Sequence, residues 1–562
     1  MRSCVDNSAR AFDYPKSFKE NWKQTLAMST QKMFVRDATG LVKALGFVDQ
    51  FIISQAIINI LGGFVLTALF APFYFPGANL SVVFALGSVP ALAMAFVYSK
   101  LSAAIPRSGG DYIWSTRILG PFFGSIQFMF LFVGTVIIGI GLSIWAASAI
   151  ALSQLAFAVG VTTNNLDIIH IGTALGQASL GYPVSVVMTV VVTLIALLGL
   201  RVYSWFQKIS YFLYYIIAAV FLILLFTVDP STIPGLFDHA MQVSGYQITY
   251  NGMLQQAASQ GFAGTDFNLT NSLLAAIPWG FLTFTGFNYG SYLAGETKSV
   301  KNSMTRALFL SVIVTIIVLV VMGILVYRDF GSAFLNAASY IAATNPGSLP
   351  TLPTTTMLLS VVNPIYASFL SLGLYLGWLV VSVAYVVTMS RMLFAASFDR
   401  LLPAKFADVS DRFHSPGWAT VFIGVIVFVY LTIYWNYGWA ATWLNTSLVA
   451  PIGYLMPLVA TLLFPFVKRD LFKRTVGTMG SGSMIAFASF VGVAAFAFYI
   501  VAESFPIAGS LGVVFLGANL TLAYGVVLGL IIIGVLIYLT GKARLKALGI
   551  DIKALYAEIP PE

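Results

Sequence analysis

The sequence predicts an all-α integral membrane protein with twelve transmembrane helices. Of its 562 residues, 59% are hydrophobic and only 9% are charged, whereas soluble domains are usually about 45–50% apolar and about 25% charged. Apolar stretches of about 20 residues, the length that crosses a hydrocarbon core as a helix, recur along the whole chain. They lie at about 46–72, 81–103, 121–158, 183–203, 209–228, 272–295, 304–327, 358–397, 417–436, 440–467, 483–502 and 511–540.

The distribution of positive charge supports this count and sets the orientation. Short cytoplasmic loops collect Lys and Arg, whereas short translocated loops avoid them. With both termini in the cytoplasm, all 29 basic residues except Arg328 fall on the cytoplasmic side. We therefore expect a multi-pass protein of the cell (plasma) membrane. The net charge of +9 reflects this orientation and an attraction to membrane lipid, and it does not indicate nucleic-acid binding.

The segments outside the spans are predicted to be tails and loops. Residues 1–43 are polar and basic without the apolar core of a signal peptide, which predicts a cytosolic tail. This tail holds Cys4, the only cysteine, so no internal disulfide can form. Residues 229–271 form the longest predicted extracellular loop, which includes the glycosylation sequon at Asn268. Residues 542–562 are predicted to be a cytosolic tail with an amphipathic helix that ends at Pro560.

Two of the spans carry helix-weakening residues near their midpoints. The first span contains Asn59-Ile60-Leu61-Gly62-Gly63, and the sixth contains Phe284-Thr285-Gly286-Phe287-Asn288. Unwound backbone is tolerated inside a bilayer only where it lines a cavity, and inverted-repeat transporters bind substrate between two such discontinuous helices. We expect helices 1 and 6 to be discontinuous. The alternative for span 6 is close packing through Gly286 and Gly290, with Asn288 bonded to a neighbouring helix.

Four stretches of the sequence resemble one known family, in the same order along the chain. They are "ALGFVDQFIISQAIINILGGFVLTALFA" in span 1, "IPRSGGDYIWSTRILGPFFG" after span 2, "FTGFNYGSYLAGETKSVKNSMTRAL" in span 6 and "SRMLFAASFDRLLPAKFADVSDRFHSP" after span 8. Together they resemble the amino acid–polyamine–organocation permeases. The resemblance implies a five-plus-five inverted repeat (LeuT-like), with repeats at 44–228 and 272–467, and two further helices in 468–541. It also implies secondary transport by alternating access, without ATP or a cofactor.

The resemblance further implies where the substrate binds. In relatives, amides at the first break hold the substrate carboxylate, and carbonyls at both breaks receive its amino group. The candidate substrate-binding residues are Ile58, Asn59, Ile60, Leu61, Gly62, Gly63, Leu282, Thr283, Phe284, Thr285, Gly286 and Asn288. Ile60 stands where relatives have the first glycine of the turn, and its side chain narrows the space for a carboxylate.

The charge of the spans indicates the class of substrate. The acidic residue of the family's span 6 motif is Asn288 here, and the acidic Asp49, Glu296 and Glu503 all lie at span ends. A cationic substrate would need an intramembrane carboxylate, because an unpaired cation is costly to desolvate. We therefore expect a neutral or zwitterionic amino acid. A polyamine or other organocation carrier and a non-transporting amino-acid sensor on the same scaffold are alternatives.

Other classes of protein are less compatible with this sequence. An intramembrane enzyme would need paired acids, histidines or a metal site within the spans, and His170, His239 and His414 all fall in predicted loops. No GxxxxGK[ST] phosphate loop occurs, which argues against ATP-driven pumping by this chain. We expect neither a metal nor a cofactor. The oligomeric state is left open by the sequence.

Several residues are candidates for gates. Trp279 and Phe281, together with Phe284, are candidates to close over the substrate from outside, although ordinary aromatic packing explains them as well. Asp49 is a candidate for the cytoplasmic gate or for a helix cap. The family suggests an inward gate network of loop charges. Its members would be Arg107, Arg117, Arg391, Asp399 and Arg400.

The coupling ion is left open between H⁺ and Na⁺, and uniport or exchange needs no ion site. Some proton-coupled relatives carry a Lys in span 5, and Tyr214 stands at the matching position. Sodium-coupled relatives use small hydroxyls on span 8, where Ser368 and Ser371 lie on one helix face. The alternative is that these serines bond to their own helix backbone.

Overall fold

The computed structural model describes residues 41–262, 267–344, 364–437, 448–473, 482–504 and 520–557. Every regular element within these ranges is a helix, and the only pairing of extended residues there consists of two isolated bridges, Leu45 with Thr297 and Ser108 with Leu293. The predicted all-α class is confirmed. Most of the predicted N-terminal tail, including Cys4, and the last five residues lie outside the described ranges.

We number the helices in chain order. They are α1 (Phe47–Ile58), α2 (Ile60–Tyr74), α3 (Leu80–Ala104), α4 (Asp111–Ile118), α5 (Pro121–Thr163), α6 (Leu166–Leu175), α7 (Ala178–Leu197), α8 (Leu200–Thr227), α9 (Ile233–Val243), α10 (Tyr250–Ser259), α11 (Leu269–Ala275), α12 (Leu282–Phe284), α13 (Val300–Phe330), α14 (Ser332–Thr344), α15 (Pro364–Phe398), α16 (Gly417–Tyr437), α17 (Val449–Val467), α18 (Gly482–Ser504), α19 (Leu520–Ala547) and α20 (Ile552–Ala557). A π-helical turn, Ala276–Phe281, joins α11 to α12, and a 3-10 segment, Phe287–Tyr292, follows α12.

Within the described ranges, eleven helical stretches are long and apolar enough to cross a membrane. They correspond to eleven of the twelve predicted spans, with α1 and α2 together counted as one. The predicted sixth span is not among them because it is divided into the short pieces α11, α12 and the 3-10 segment. The count of twelve spans and the division into two inverted repeats stay predictions.

The spans differ in how deeply they are buried. In Phe47–Tyr74, Pro121–Thr163 and Ala367–Phe398, between 72% and 76% of the most apolar window is buried inside the protein, against 17% in Tyr524–Ala547. The first, third and eighth predicted spans are therefore central, and the last is peripheral. In α5 two π-helical stretches, Gly134–Gly141 and Ala146–Leu152, interrupt the α-helical bonding.

Two segments outside the spans differ from the prediction. The loop predicted at 229–271 contains the helices α9 and α10, and α9 buries Ile233, Phe237 and Met241 on one face. The polar composition between these apolar residues concealed their helical spacing. The single amphipathic helix predicted at the C-terminus is two helices, because α19 continues to Ala547 and the chain then turns at Gly549, whose φ is 69°.

Candidate functional site

The first span is broken at a single residue. Asn59 separates α1 from α2 with a left-handed backbone (φ 50°, ψ 72°), a conformation that Asn adopts more readily than most residues. The Gly62 N–H donates to its side-chain oxygen (3.3 Å) and the Gly63 N–H to its carbonyl (2.7 Å). Because Asn59 caps the helix that restarts at Ile60, the break is narrower than the five residues from Asn59 to Gly63 that the sequence indicated.

Tyr214 of α8 holds this break. Its hydroxyl accepts from the Leu61 N–H (2.7 Å) and donates to Asn59 Oδ1 (3.2 Å), and the side chain is fully buried. Tyr214 is the residue that the family resemblance aligned with a Lys of proton-coupled relatives. One of the amides expected to bind a substrate carboxylate is therefore already occupied by a protein hydroxyl.

The second break lies at Thr285 and Gly286. Thr285 is extended (φ −62°, ψ 147°), and Gly286 has a φ of 120°, which L side chains rarely adopt. The Gly286 N–H donates to Asn288 Oδ1 (3.1 Å), so Asn288 bridges the break. A Cβ at Gly286 would lie 2.7 Å from Ile57 Cγ2, and one at Gly290 would lie 2.8 Å from Ser54 Oγ. The unwound segment is thus also packed closely against α1.

A cavity of about 200 Å³ lies between the two breaks. This is smaller than the roughly 300–1,000 Å³ of pockets for drug-sized ligands, so it suits a small molecule. No charged side chain is among its lining residues. These are Ile57, Ile58, Asn59, Gly63, Leu66, Thr67, Gly134, Thr135, Gly139, Leu142, Ser143, Trp279, Leu282, Thr283, Thr285, Tyr289, Trp378, Val381, Tyr385, Ala450 and Tyr454.

Hydroxyl pairs form the polar part of the cavity wall. Thr67 and Thr283 share a hydrogen bond of 2.8 Å. The Tyr289 hydroxyl is bonded both to Thr135 (2.5 Å) and to Tyr454 (2.7 Å). Each of these hydrogen-bonded groups links a broken span to another part of the cavity wall. Hydroxyls can act as donors or as acceptors. The wall can therefore bond to a carboxylate or to an ammonium group without supplying a net charge.

An aromatic stack covers one side of the cavity. The ring of Trp279 stacks on Phe70 (5.5 Å between centroids, 19° between planes) and on Tyr74 (6.0 Å, 12°). Trp279 also lines the cavity, and its role in a gate stays a prediction. Phe281 instead packs against Phe496 (4.8 Å) and lies outside the cavity lining.

Two buried ion pairs close the opposite side, which carries the basic loops and which we call the basic side. Arg117 donates two bonds to the Asp399 carboxylate (2.8 and 2.9 Å). Arg391 donates two bonds to Glu296 (2.9 and 3.2 Å). All four side chains are about 1% exposed. Three members of the predicted network of loop charges, Arg117, Arg391 and Asp399, thus form buried pairs on this side.

The chain preceding α1 joins this closure. The amides of Ala44 and Leu45 donate to the Glu296 carbonyl (both 3.0 Å), and the Lys298 amide donates to the Leu45 carbonyl (3.0 Å). Asp49 accepts from the Gly46 N–H (2.9 Å) and from Ser204, and it pairs with Lys208 (2.7 Å). Asp49 therefore caps α1 and ties it to α8, as the structural alternative for this residue anticipated.

The structure divides the sequence-predicted binding residues into two groups. Six of the twelve line the cavity: Ile58, Asn59, Gly63, Leu282, Thr283 and Thr285. The other six are buried or packed outside its lining: Ile60, Leu61, Gly62, Phe284, Gly286 and Asn288. Ser368 and Ser371 also lie outside the lining. The Ser371 hydroxyl is buried and has no hydrogen-bond partner within the described structure.

Comparison with known proteins identifies the family. The model of the family described as "Amino acid permease" matches residues 45–539. The chain belongs to the amino acid permease family. Uncharacterized transporters from Mycobacterium bovis and from two strains of Mycobacterium tuberculosis are each 24% identical to it over 400 residues. The match covers 69% of this permease and 73% of each relative.

These comparisons confirm the family inferred from the four sequence stretches. With eleven helices in the described ranges that are long and apolar enough to cross a membrane, the permease is a multi-pass membrane protein. Several aromatic residues that line the cavity were not predicted from the sequence. They are Tyr289, Trp378, Tyr385 and Tyr454. Tyr289 lies in the quoted span 6 stretch, one position after Asn288, and could have been found there. Trp378, Tyr385 and Tyr454 stand in ordinary apolar runs, where sequence carries no signal for a cavity.

Proposed function

We infer that this permease carries neutral or zwitterionic amino acids across the cytoplasmic membrane by alternating access. The uncharged cavity between the two helix breaks is the observation that carries this proposal. A zwitterion has no net charge and needs separate partners for its two ends. A cationic polyamine would need a carboxylate in the cavity wall, and its lining contains none.

The two ends of a zwitterion have suitable partners at the cavity. For the carboxylate, the partner is the N-terminus of α2, which starts directly after Asn59. A helix N-terminus carries partial positive charge that attracts a carboxylate. Trp279, Trp378 and Tyr289 line the cavity, and aromatic rings can attract an ammonium group through their π electrons. Lining residues such as Leu66, Leu142 and Val381 leave apolar surface for the side chain.

Alternating access requires the basic side to open. In the conformation described, this side is held by the Arg117–Asp399 and Arg391–Glu296 pairs. Substrate release there would separate both pairs while the aromatic stack at Trp279 stays shut. In carriers built of repeats, such exchange of access is largely a rigid-body movement of one bundle around a fixed site. We place the basic side, with both termini, in the cytoplasm.

Uptake into liposomes containing the purified permease tests this proposal. Neutral, acidic and basic amino acids and spermidine would be offered separately, with protein-free liposomes as the control. We expect saturable uptake of one or more neutral amino acids. Uptake of spermidine or of basic amino acids alone would contradict the proposed substrate class. Thermal stabilisation by an amino acid without any flux would instead indicate a sensor.

A further inference from the structure

We propose that Asp111 is the proton-binding site of this permease, protonated while the basic side is closed and deprotonated when that side opens. The proposal rests on the proposed transport function and adds a coupling ion to it. Asp111 is the first residue of α4, in the loop region between the second and third spans. It was not among the residues that the sequence indicated for ion coupling.

The surroundings of Asp111 favour a neutral carboxyl. The side chain is completely buried. The Tyr292 hydroxyl donates to Oδ2 (2.7 Å), whereas Oδ1 has no hydrogen-bond partner within the described structure. The Tyr98 hydroxyl faces the carboxyl without reaching hydrogen-bond geometry. A carboxylate would leave a buried charge with half of its acceptor capacity unused, and such a state is strongly disfavoured.

No cation in the described part of the chain pairs with Asp111. Two arginines of the surrounding elements form ion pairs with other acids, Arg117 with Asp399 and Arg391 with Glu296. The titratable and charged side chains contributed by the surrounding elements are Tyr98 from α3, Arg107 from the loop before α4, Tyr112 and Arg117 from α4, Tyr289 and Tyr292 from the 3-10 segment, Glu296 beyond it, Tyr385 and Arg391 from α15, Asp399 after it, Tyr454 from α17 and Tyr556 from α20.

Burial raises the pKa of Asp111 to about 7, while the hydrogen bond from Tyr292 and the nearby Tyr98 hydroxyl act to lower it. An exposed Asp has a pKa of about 3.9. Between pH of about 4 and about 7, Asp111 is therefore protonated while the basic side is closed. In the same pH range it is deprotonated in a form in which water reaches its carboxyl, which we call the hydrated form. Raising the pH through this window favours the hydrated form, and lowering it favours the closed form.

The segment that covers Asp111 also lines the substrate cavity. The Tyr292 ring stacks on Tyr289 (5.0 Å, 26°), and Tyr289 contributes to the cavity wall. The Tyr292 carbonyl accepts from the Gly109 N–H (3.0 Å). A Cβ at Gly110 would lie 2.7 Å from the Tyr292 ring, so this loop fits closely against the segment. A change in the cavity that moves Tyr289 therefore reaches Asp111 through Tyr292.

These contacts give a cycle for the proton. While the cavity is open to the outside, Asp111 takes up a proton from the cavity and becomes neutral. When the basic side opens, the 3-10 segment leaves the 108–110 loop and water reaches the carboxyl. Its O–H bond then breaks, and the proton passes to water on the basic side together with the released amino acid. Transport into the cell would thus be driven by an inward proton gradient.

The substitution Asp111→Asn tests this cycle because the amide imitates the protonated acid but cannot release a proton. For the wild type, one proton per substrate allows about tenfold accumulation per unit of pH difference. We expect Asp111→Asn to retain exchange of internal for external substrate and to lose accumulation driven by the gradient. Asp167→Asn, at an exposed acid of α6, is the control and should accumulate substrate as the wild type does.

The outcomes separate this proposal from the proposed function. Wild-type uptake that ignores the pH gradient, or gradient-driven accumulation by Asp111→Asn, would overturn the role of Asp111 while leaving amino acid transport intact. No uptake of any amino acid would overturn the proposed function itself. If Asp111→Asn fails to fold, a pH dye inside wild-type liposomes still tests the proposal, since substrate entry without acidification of the lumen would overturn it. Tyr292→Phe, which removes the donor to Asp111, should move the pH midpoint of uptake to higher pH.

Discussion

At the scale of single residues, Gly286 is a position in the second break that has no room for a side chain. Its φ of 120° and its approach to Ile57 both exclude a side chain, and forcing an L residue into such a conformation costs about 1–3 kcal/mol. We expect Gly286→Ala to insert in the membrane and to lose most of its uptake. Gly235→Ala in α9, where a Cβ meets nothing within 4 Å, should transport normally. Normal uptake by Gly286→Ala would mean that the second break is not required for transport.

Tyr214 offers a second test at this scale. Its hydroxyl satisfies both the Leu61 N–H and Asn59 Oδ1, and leaving buried polar groups unpaired costs about 1–3 kcal/mol. We expect Tyr214→Phe to lower the thermal unfolding temperature of the purified protein measurably, because the Leu61 N–H loses its partner. Tyr437→Phe, at an exposed tyrosine, is the matched control. An unchanged unfolding temperature for Tyr214→Phe would show that these bonds contribute nothing to stability.

At the scale of elements, the sequence predicts what length and composition determine. Eleven of the apolar runs predicted as spans are long apolar helices in the part of the chain that the structure describes, because each has enough apolar residues to cover a hydrocarbon core. Gly286 and Asn288 signalled the break in span 6 correctly, since both residues act in it. In span 1 the two glycines suggested a wide unwinding, yet Asn59 alone makes the break. A left-handed Asn is stabilised by its neighbours, here Tyr214, and sequence does not show which residues will be neighbours.

The same limit applies to the cavity walls. Tyr289 is bonded to Thr135 and Tyr454, which are 154 and 165 positions away in the sequence. Such contacts depend on how three spans pack, and packing leaves no periodic pattern in a chain that is apolar on all faces. Asp111 was concealed for a related reason, because a loop acid beside a span end ordinarily faces water. Only its complete burial under Tyr292 distinguishes it.

At the scale of the whole molecule, the buried ion pairs of the basic side are predicted to set which side is open. Removing one partner of a buried pair leaves an uncompensated charge and costs about 3–5 kcal/mol, so Glu296→Gln should weaken the closed form. The opening of the basic side can be measured with a single cysteine, Ser143→Cys, placed in the cavity wall of a Cys4→Ser protein. We expect Glu296→Gln to make that cysteine react faster with an impermeant maleimide added on the basic side.

The control for this experiment is Asp411→Asn, at an exposed acid of the same side, which should leave the reaction rate unchanged. An equal rate in Glu296→Gln and the parent protein would show that the Arg391 pair does not hold the basic side shut. A higher reaction rate in Glu296→Gln with maleimide added on the opposite side would show that the Arg391–Glu296 pair closes that side and not the basic side.

The central claim is that the cavity between the two helix breaks binds the transported amino acid. An electron cryomicroscopy structure of the permease with a transported amino acid tests it most directly. We predict ligand density in contact with Asn59, Gly63 and Thr285, beneath the Trp279 stack. Ligand density at any other position, with this cavity occupied only by water or by protein side chains, would contradict the account.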